Sequence, residues 1–147
     1  MIKKRLDELR AELQALANPA KAKVLAGFFK TGKGEYGEGD VFLGITVPAQ
    51  RIVAKRFLDL SLGDIHELLH SKVHEHRVTG VMVLVQQYET ADVKKRKEIV
   101  DFYLQRATCI NNWDLVDGSA PYILGDWLLK EDRAILYKLA KSKNLWE

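Results

Sequence analysis

A chain of 147 residues, 47% hydrophobic and 29% charged, can bury one sizeable core and reads as a single domain. Its 23 basic and 20 acidic side chains leave a formal net charge of +3, too mild on its own to argue for a polyanionic partner. No apolar run approaches the roughly 18 residues of a membrane span, no signal peptide opens the chain, and Cys109 is alone, which excludes an internal disulfide and fits a reducing cytoplasm.

Taken in order, residues 3–17 place Leu6, Leu9, Leu13 and Leu16 on one face of an amphipathic helix. Asn18-Pro19 caps a second helix that carries Val24, Leu25, Phe28 and Phe29 and ends near Lys30. Four glycines in residues 31–40 mark a mobile loop; it lacks the Gly-Lys-Ser/Thr ending and the preceding strand of a phosphate-binding loop. Phe42–Val47 has strand propensity but no second strand to pair with, so an extended connector is expected. Pro48 starts a helix to about Leu58, with Ile52, Val53, Phe57 and Leu58 inward and Arg51 and Lys55 as an outward basic pair.

Ser61 suits the N-cap of a helix over Leu62–His70. Within it, His66-Glu67-Leu68-Leu69-His70 matches the zinc-protease spacing of two histidines four apart with a glutamate between. Charged Asp64 and Lys72 flank the motif, no sheet edge is apparent for a peptide, and a third ligand would have to be His74 or something undefined downstream, so no metal site is expected. A strongly helical stretch from His74 to about Tyr88 feeds Val78, Val81, Met82, Leu84 and Val85 to the core, with Glu75 and Arg77 as structural ion pairs between adjacent repeats. Lys94-Lys95-Arg96-Lys97 opens a helix through Arg106, buried by Ile99, Val100, Phe102, Tyr103 and Leu104.

Asn111 or Asn112 then caps a very short helix, Asp114 lies in its first turn, and Gly118 stops it as a C′ residue. Trp113 and Asp117 are four apart and share a face, which sets a flat π surface beside an anion. That pairing suits a cationic substrate; the competing reading has Trp113 filling the core and Asp117 capping the next helix. Ser119-Ala120-Pro121 begins that helix, which runs to about Lys130 through Tyr122, Ile123, Leu124, Trp127 and Leu128. A last helix turns Ile135, Leu136 and Leu139 inward, and Leu145-Trp146 begins a new apolar segment just as the chain ends. The expected architecture is all-α, built of stacked antiparallel helix pairs.

Trp113-Asp114-Leu115-Val116-Asp117, followed by Pro121 and Leu124-Gly125-Asp126, resembles the signature of the AlkD-type DNA alkylation repair enzymes. Further matches follow the family's order: Asn18-Pro19-Ala20-Lys21-Ala22, Phe42-Leu43-Gly44-Ile45 with Pro48 and Arg51, and His74-Glu75-His76-Arg77. The resemblance covers nearly the whole chain. It implies a superhelix (solenoid) of HEAT-like repeats and the activity of an alkylpurine DNA glycosylase, acting on duplex DNA that contains alkylated bases and needing no cofactor.

On that resemblance, Asp117 and Trp113 are the expected catalytic pair, and Phe28 stands where the family often has a tyrosine near the lesion. Lys33, Arg51, Lys55, Lys94 and Lys95 become candidates for DNA-backbone contact. Family members continue with further helices that bear a basic residue and a second site tryptophan, so residues 1–147 are expected to form one HEAT-like domain truncated at its C-terminus. Leu145 and Trp146 would then leave an exposed face open to self-association, with activity weakened. Two other classes remain: a catalytically silent HEAT-like module that binds DNA or protein, and the metalloprotease suggested by His66 and His70.

Overall fold

The computed structural model describes residues 2–147. Eight α-helices follow one another: α1 (Ile2–Ala15), α2 (Pro19–Phe28), α3 (Val47–Lys55), α4 (Leu62–Leu69), α5 (His74–Thr90), α6 (Val93–Gln105), α7 (Trp113–Asp117) and α8 (Ala134–Ala140). A 3₁₀ turn, Ala107–Cys109, precedes α7, and a π-helical turn, Pro121–Gly125, follows it. Among the described residues the only β pairing is an isolated parallel bridge between Val41 and Val73. The protein is therefore all-α, as helical repeats require. The chain divides into two compact units at Val83/Leu84, inside α5.

In the first unit, α1 packs on α3 and α4 through buried Leu6, Leu9 and Leu13. The starts of α2, α3 and α4 have side-chain caps. The Asn18 amide oxygen accepts from Lys21 N at 3.1 Å, and Ser61 and Asp64 form a reciprocal capping box. On α3 the expected inward Ile52 is instead 61% exposed, and Leu58, past the helix end, is 41% exposed. The buried face is Gln50, Val53 and Ala54; the Gln50 amide nitrogen donates to the Ile45 carbonyl at 2.9 Å, while its Oε1 is buried with no hydrogen-bond partner among the described residues. Helix α2 buries none of its own residues; Phe29, just beyond it, supplies the core contact.

Residues 41–45 tie this unit together. Gly44 has φ +84°, and a Cβ there would meet Asn18 O at 2.1 Å. Only glycine lets the connector approach the start of α2 this closely, where Asn18 N donates to Leu43 O at 2.8 Å. From α5, buried Glu75 accepts the backbone N–H groups of Leu43 (2.9 Å), Gly44 (2.8 Å) and Ile45 (3.2 Å). His74 stacks on Phe42 and leans on Phe29, both ring centroids 4.7 Å away. Arg77 donates to Asp40 at 2.7 Å and to Ser71 O at 2.8 Å. The expected ion pairing therefore holds for Arg77, while Glu75 instead collects amides. Burial pushes the Asp40 carboxyl up, but His74 and Arg77 outweigh it and hold the group below the usual carboxylate range.

The glycine-rich loop is folded on itself. The Glu35 and Glu38 carboxylates accept from the N–H groups of Gly32 and Gly34, each at 2.9 Å, and Gly37 N donates to Lys30 O at 3.0 Å.

In the second unit, α6 packs against both flanking turns and buries Ile99, Val100, Phe102 and Tyr103. The helix expected over 119–130 opens as the π-helical turn, marked by Gly125 N donating to Ala120 O at 2.8 Å, and is helical only through Trp127. In α8, Ile135 and Leu139 are half-buried, but Leu136 is exposed.

Candidate functional site

Helix α7 has only five residues, too few to be stable alone, so its surroundings must hold it. Asn112, not Asn111, is the cap: it is fully buried, and its Oδ1 accepts from Trp113 N at 2.8 Å. Leu115 is the single fully buried anchor. Gly118 ends the helix as its C-cap, with φ −81°, one position nearer the helix than the expected C′ place. A Cβ on Gly118 would lie 3.0 Å from Asp114 O, so close passage rather than a positive φ favours glycine.

Behind α7, buried Ser119 donates its hydroxyl to Leu115 O at 2.6 Å. Its one proton is thereby used, so the Tyr103 hydroxyl from α6 donates to Ser119 Oγ at 2.8 Å. Burial raises the Tyr103 phenol above its ordinary range, only partly offset by the bond to Ser119. The Ser119 carbonyl in turn accepts from Tyr122 N (3.1 Å) and Ile123 N (3.0 Å), which joins α7 to the π-helical turn.

On this pedestal Trp113 is 40% exposed and Asp117 lies open to solvent. Asp117 makes no side-chain hydrogen bond or ion pair among the described residues. Neither half of the bland reading holds: Trp113 is not a core residue, and Asp117 caps no helix. A π face with a carboxylate one turn away, both accessible, can receive a flat cation.

The basic run on α6 is largely neutralised locally. Lys95 pairs with Glu98 at 3.0 Å and Lys97 with Asp101 at 2.9 Å. Arg96 donates to the carbonyls of Tyr88 and Glu89, each at 3.1 Å, and lies 3.7 Å from Asp126. Lys94 is exposed and makes no ion pair among the described residues. Near these groups Tyr88 donates to Asp126 at 2.7 Å; burial first, and that carboxylate second, push its phenol up to about 12. They line an open cleft of about 420 Å³ together with Pro121, Tyr122, Gly125 and Leu129.

The other candidates belong to the first unit. Phe28 is 61% exposed at the end of α2, with its ring edge-on to Phe29 at 5.1 Å. Arg51 and Lys55 lie exposed on α3 and Lys33 on the loop, none with an ion pair among the described residues. His66 and His70 bring their rings to 4.0 Å, with His70 Nδ1 donating to His66 O at 2.8 Å. Among the described residues no group of three or more His, Cys, Asp or Glu is placed to hold a metal, and no helix is long and apolar enough to cross a membrane.

At the end of the chain Leu145 is 79% exposed. Trp146 is partly covered, lining an apolar cavity of about 60 Å³ with Leu104, Ile110, Val116 and Leu124.

The residues that sequence reasoning passed over are Ser119 and Tyr103. Ser119 had been read only as a helix start and Tyr103 only as core. The available signal was a hydroxyl four residues after Leu115, the spacing of a side-chain bond back to a carbonyl. The family model described as DNA alkylation repair enzyme matches residues 9–147. No curated protein matches the chain.

Proposed function

The chain belongs to the DNA alkylation repair enzyme family, and on that premise we propose that it is a DNA glycosylase that excises positively charged N-alkylated purines from duplex DNA. The observation that carries this reading is the open pairing of Trp113 and Asp117 on one face of α7. Alkylation of a purine ring nitrogen makes the base a cation. When its bond to C1′ breaks, the electron pair leaves with the base, which departs neutral and needs no general acid. Positive charge then builds on the sugar. A fixed carboxylate stabilises that charge, and Asp117 takes this role and orients the water that adds to C1′. Trp113 packs its ring on the lesion nucleotide and attracts the cation, an effect of ~0.5–2 kcal/mol. Glycoside hydrolases generally use two carboxylates; a leaving group that is already charged lets one suffice.

Phe28, exposed on the first unit, is proposed as a DNA-binding residue by its resemblance to the family's tyrosine position. Arg51, Lys55, Lys33, Lys94 and Lys95 are proposed to hold phosphates without reading sequence, which suits repair in any context. Lys94, Lys33, Arg51 and Lys55 are stronger candidates than Lys95, since each is exposed and in no ion pair among the described residues, while Lys95 pairs with Glu98.

The test is release of methylated base from alkylated duplex DNA by this chain and by Asp117→Asn. The variant should keep most of its DNA affinity and lose about 100-fold or more in release. Near-normal release would remove Asp117 from the mechanism. DNA binding should be sequence-independent and weaken steeply with salt. Salt-sensitive binding with no release by either protein would leave a silent DNA-binding module, and a flat salt response would point to a protein-binding one.

A further inference from the structure

We infer that the buried hydroxyl pair Tyr103–Ser119 positions the catalytic face of α7, and that Tyr103 and Ser119 are positioning residues for the reaction. This rests on the reading of α7 as the site. A five-residue helix has one intrahelical turn, so the direction of Trp113 and Asp117 depends on what holds its backbone. Three side-chain contacts contribute: the Asn112 cap at the front, Leu115 below, and at the rear the Ser119 hydroxyl bonded to Leu115 O. The last adds a side-chain bond at the Asp117 end to the backbone bonds of Gly118 N to Asp114 O and Ala120 N to Val116 O, and it lies two residues from Asp117 in the chain.

Ser119 does not act alone. A serine hydroxyl bonded back to a helix carbonyl can rotate away to other acceptors. Here the Tyr103 hydroxyl, in a buried site on α6, donates to Ser119 Oγ and leaves the serine proton one acceptor, Leu115 O. A longer helix thus fixes a short one through two hydroxyls. The Ser119 carbonyl, bonded to Tyr122 N and Ile123 N, carries the same constraint into the π-helical turn. Both residues are buried, so their effect must pass through Asp117 and Trp113.

The experiment measures single-turnover base release and DNA affinity for Tyr103→Phe, Ser119→Ala, Asp117→Asn and the double variant Tyr103→Phe/Asp117→Asn, alongside thermal melting. A misaimed carboxylate should lower the rate about tenfold in each hydroxyl variant, with DNA affinity changed less than about twofold. In the Asp117→Asn background, Tyr103→Phe should produce a clearly smaller further loss, because the carboxylate it aims is already gone and only the part that passes through Trp113 remains. A merely structural tyrosine would lower the rate by the same factor in both backgrounds, and that result overturns the inference. So does a folded Tyr103→Phe or Ser119→Ala that releases base at the wild-type rate while Asp117→Asn does not. If Tyr103→Phe fails to fold, Ser119→Ala and its own double variant with Asp117→Asn carry the same comparison. Wild-type release by Asp117→Asn, or none by the parent chain, defeats the reading of the site itself.

Discussion

Two regions of this protein are made from the same ingredients and use them in opposite ways. Around Gly44, in the first unit, acids and aromatics are sealed in. Glu75 is 1% exposed and takes three backbone amides, Arg77 and Asp40 close on each other, and His74 stacks on Phe42 and leans on Phe29. On α7, in the second unit, an aromatic ring and a carboxylate stand in solvent, and the Asp117 carboxylate bonds to no described residue. Both regions lie in stretches that resemble the same family. Resemblance therefore does not tell a residue that makes the fold from one left available for chemistry; burial and bonding do. A buried, fully bonded carboxylate is inert as a catalyst because its charge is already compensated. An open carboxylate on a rigid support is the arrangement that can stabilise charge developing on a substrate.

The contrast breaks most visibly at Gly44. Gly44→Ala places a methyl 2.1 Å from Asn18 O and 2.6 Å from Ala22 N, both backbone, at a φ of +84°. Neither atom can move without opening the start of α2, so a loss of at least ~3 kcal/mol is expected, enough to unfold a marginal domain. Thermal melting checks it; a variant that melts with the parent would mean the connector does not run this close. Next in size is Glu75→Gln, which keeps the shape but offers three buried N–H groups a neutral acceptor. The expected cost is about 1–3 kcal/mol. A change below the error of denaturant titration would show that the amides find other partners.

Acid should act on the same region. The Asp40 carboxyl is held below its usual value of 3.8, so the unfolded chain binds more protons over that window. Its contribution to stability is complete above the unfolded value and is lost as pH falls through the folded one. Carbon-detected titration of the Asp40 side chain should therefore give a midpoint below 3.8; one at or above it would mean His74 and Arg77 do not dominate burial.

What the sequence made legible was what lies close along the chain. The caps at Asn18, Ser61 and Asn112 were readable because a short polar side chain bonds a backbone N–H a few residues on. The helices of α5 and α6 announced themselves by apolar periodicity, and the pairing of Trp113 with Asp117 by a spacing of four. Glu75 was misjudged because the groups it satisfies lie about thirty residues earlier, in a segment whose only clue was an unexplained glycine. Ile52 was placed inward because it is more apolar than Gln50; the pattern does not show that Ile45 O waits to bond the glutamine. Ser119 was missed for the same reason, since the partner that gives it meaning, Tyr103, is on another helix.

The smallest expected effect is the sharpest test of the comparison, because its sign is unusual. Asp117 is the last residue of α7, at the negative end of the helix dipole, and Asp114 sits one turn back on the same short helix. The helix itself therefore disfavours a carboxylate at this position, and no cation among the described residues pairs with the side chain to offset that. Asp117→Asn should leave the fold intact and raise its stability slightly, by ~0.3–0.5 kcal/mol, as expected for removing a charge from the wrong helix end. The same substitution is expected to remove most base release. Gaining stability while losing chemistry is the mark of a group retained for the reaction at the expense of the fold. Denaturant titration at low and high salt measures it, and the gain should shrink as salt screens the dipole. A clear loss of stability instead, comparable to that of Glu75→Gln, would place Asp117 with the sealed acids of the first unit and end the distinction between the two regions.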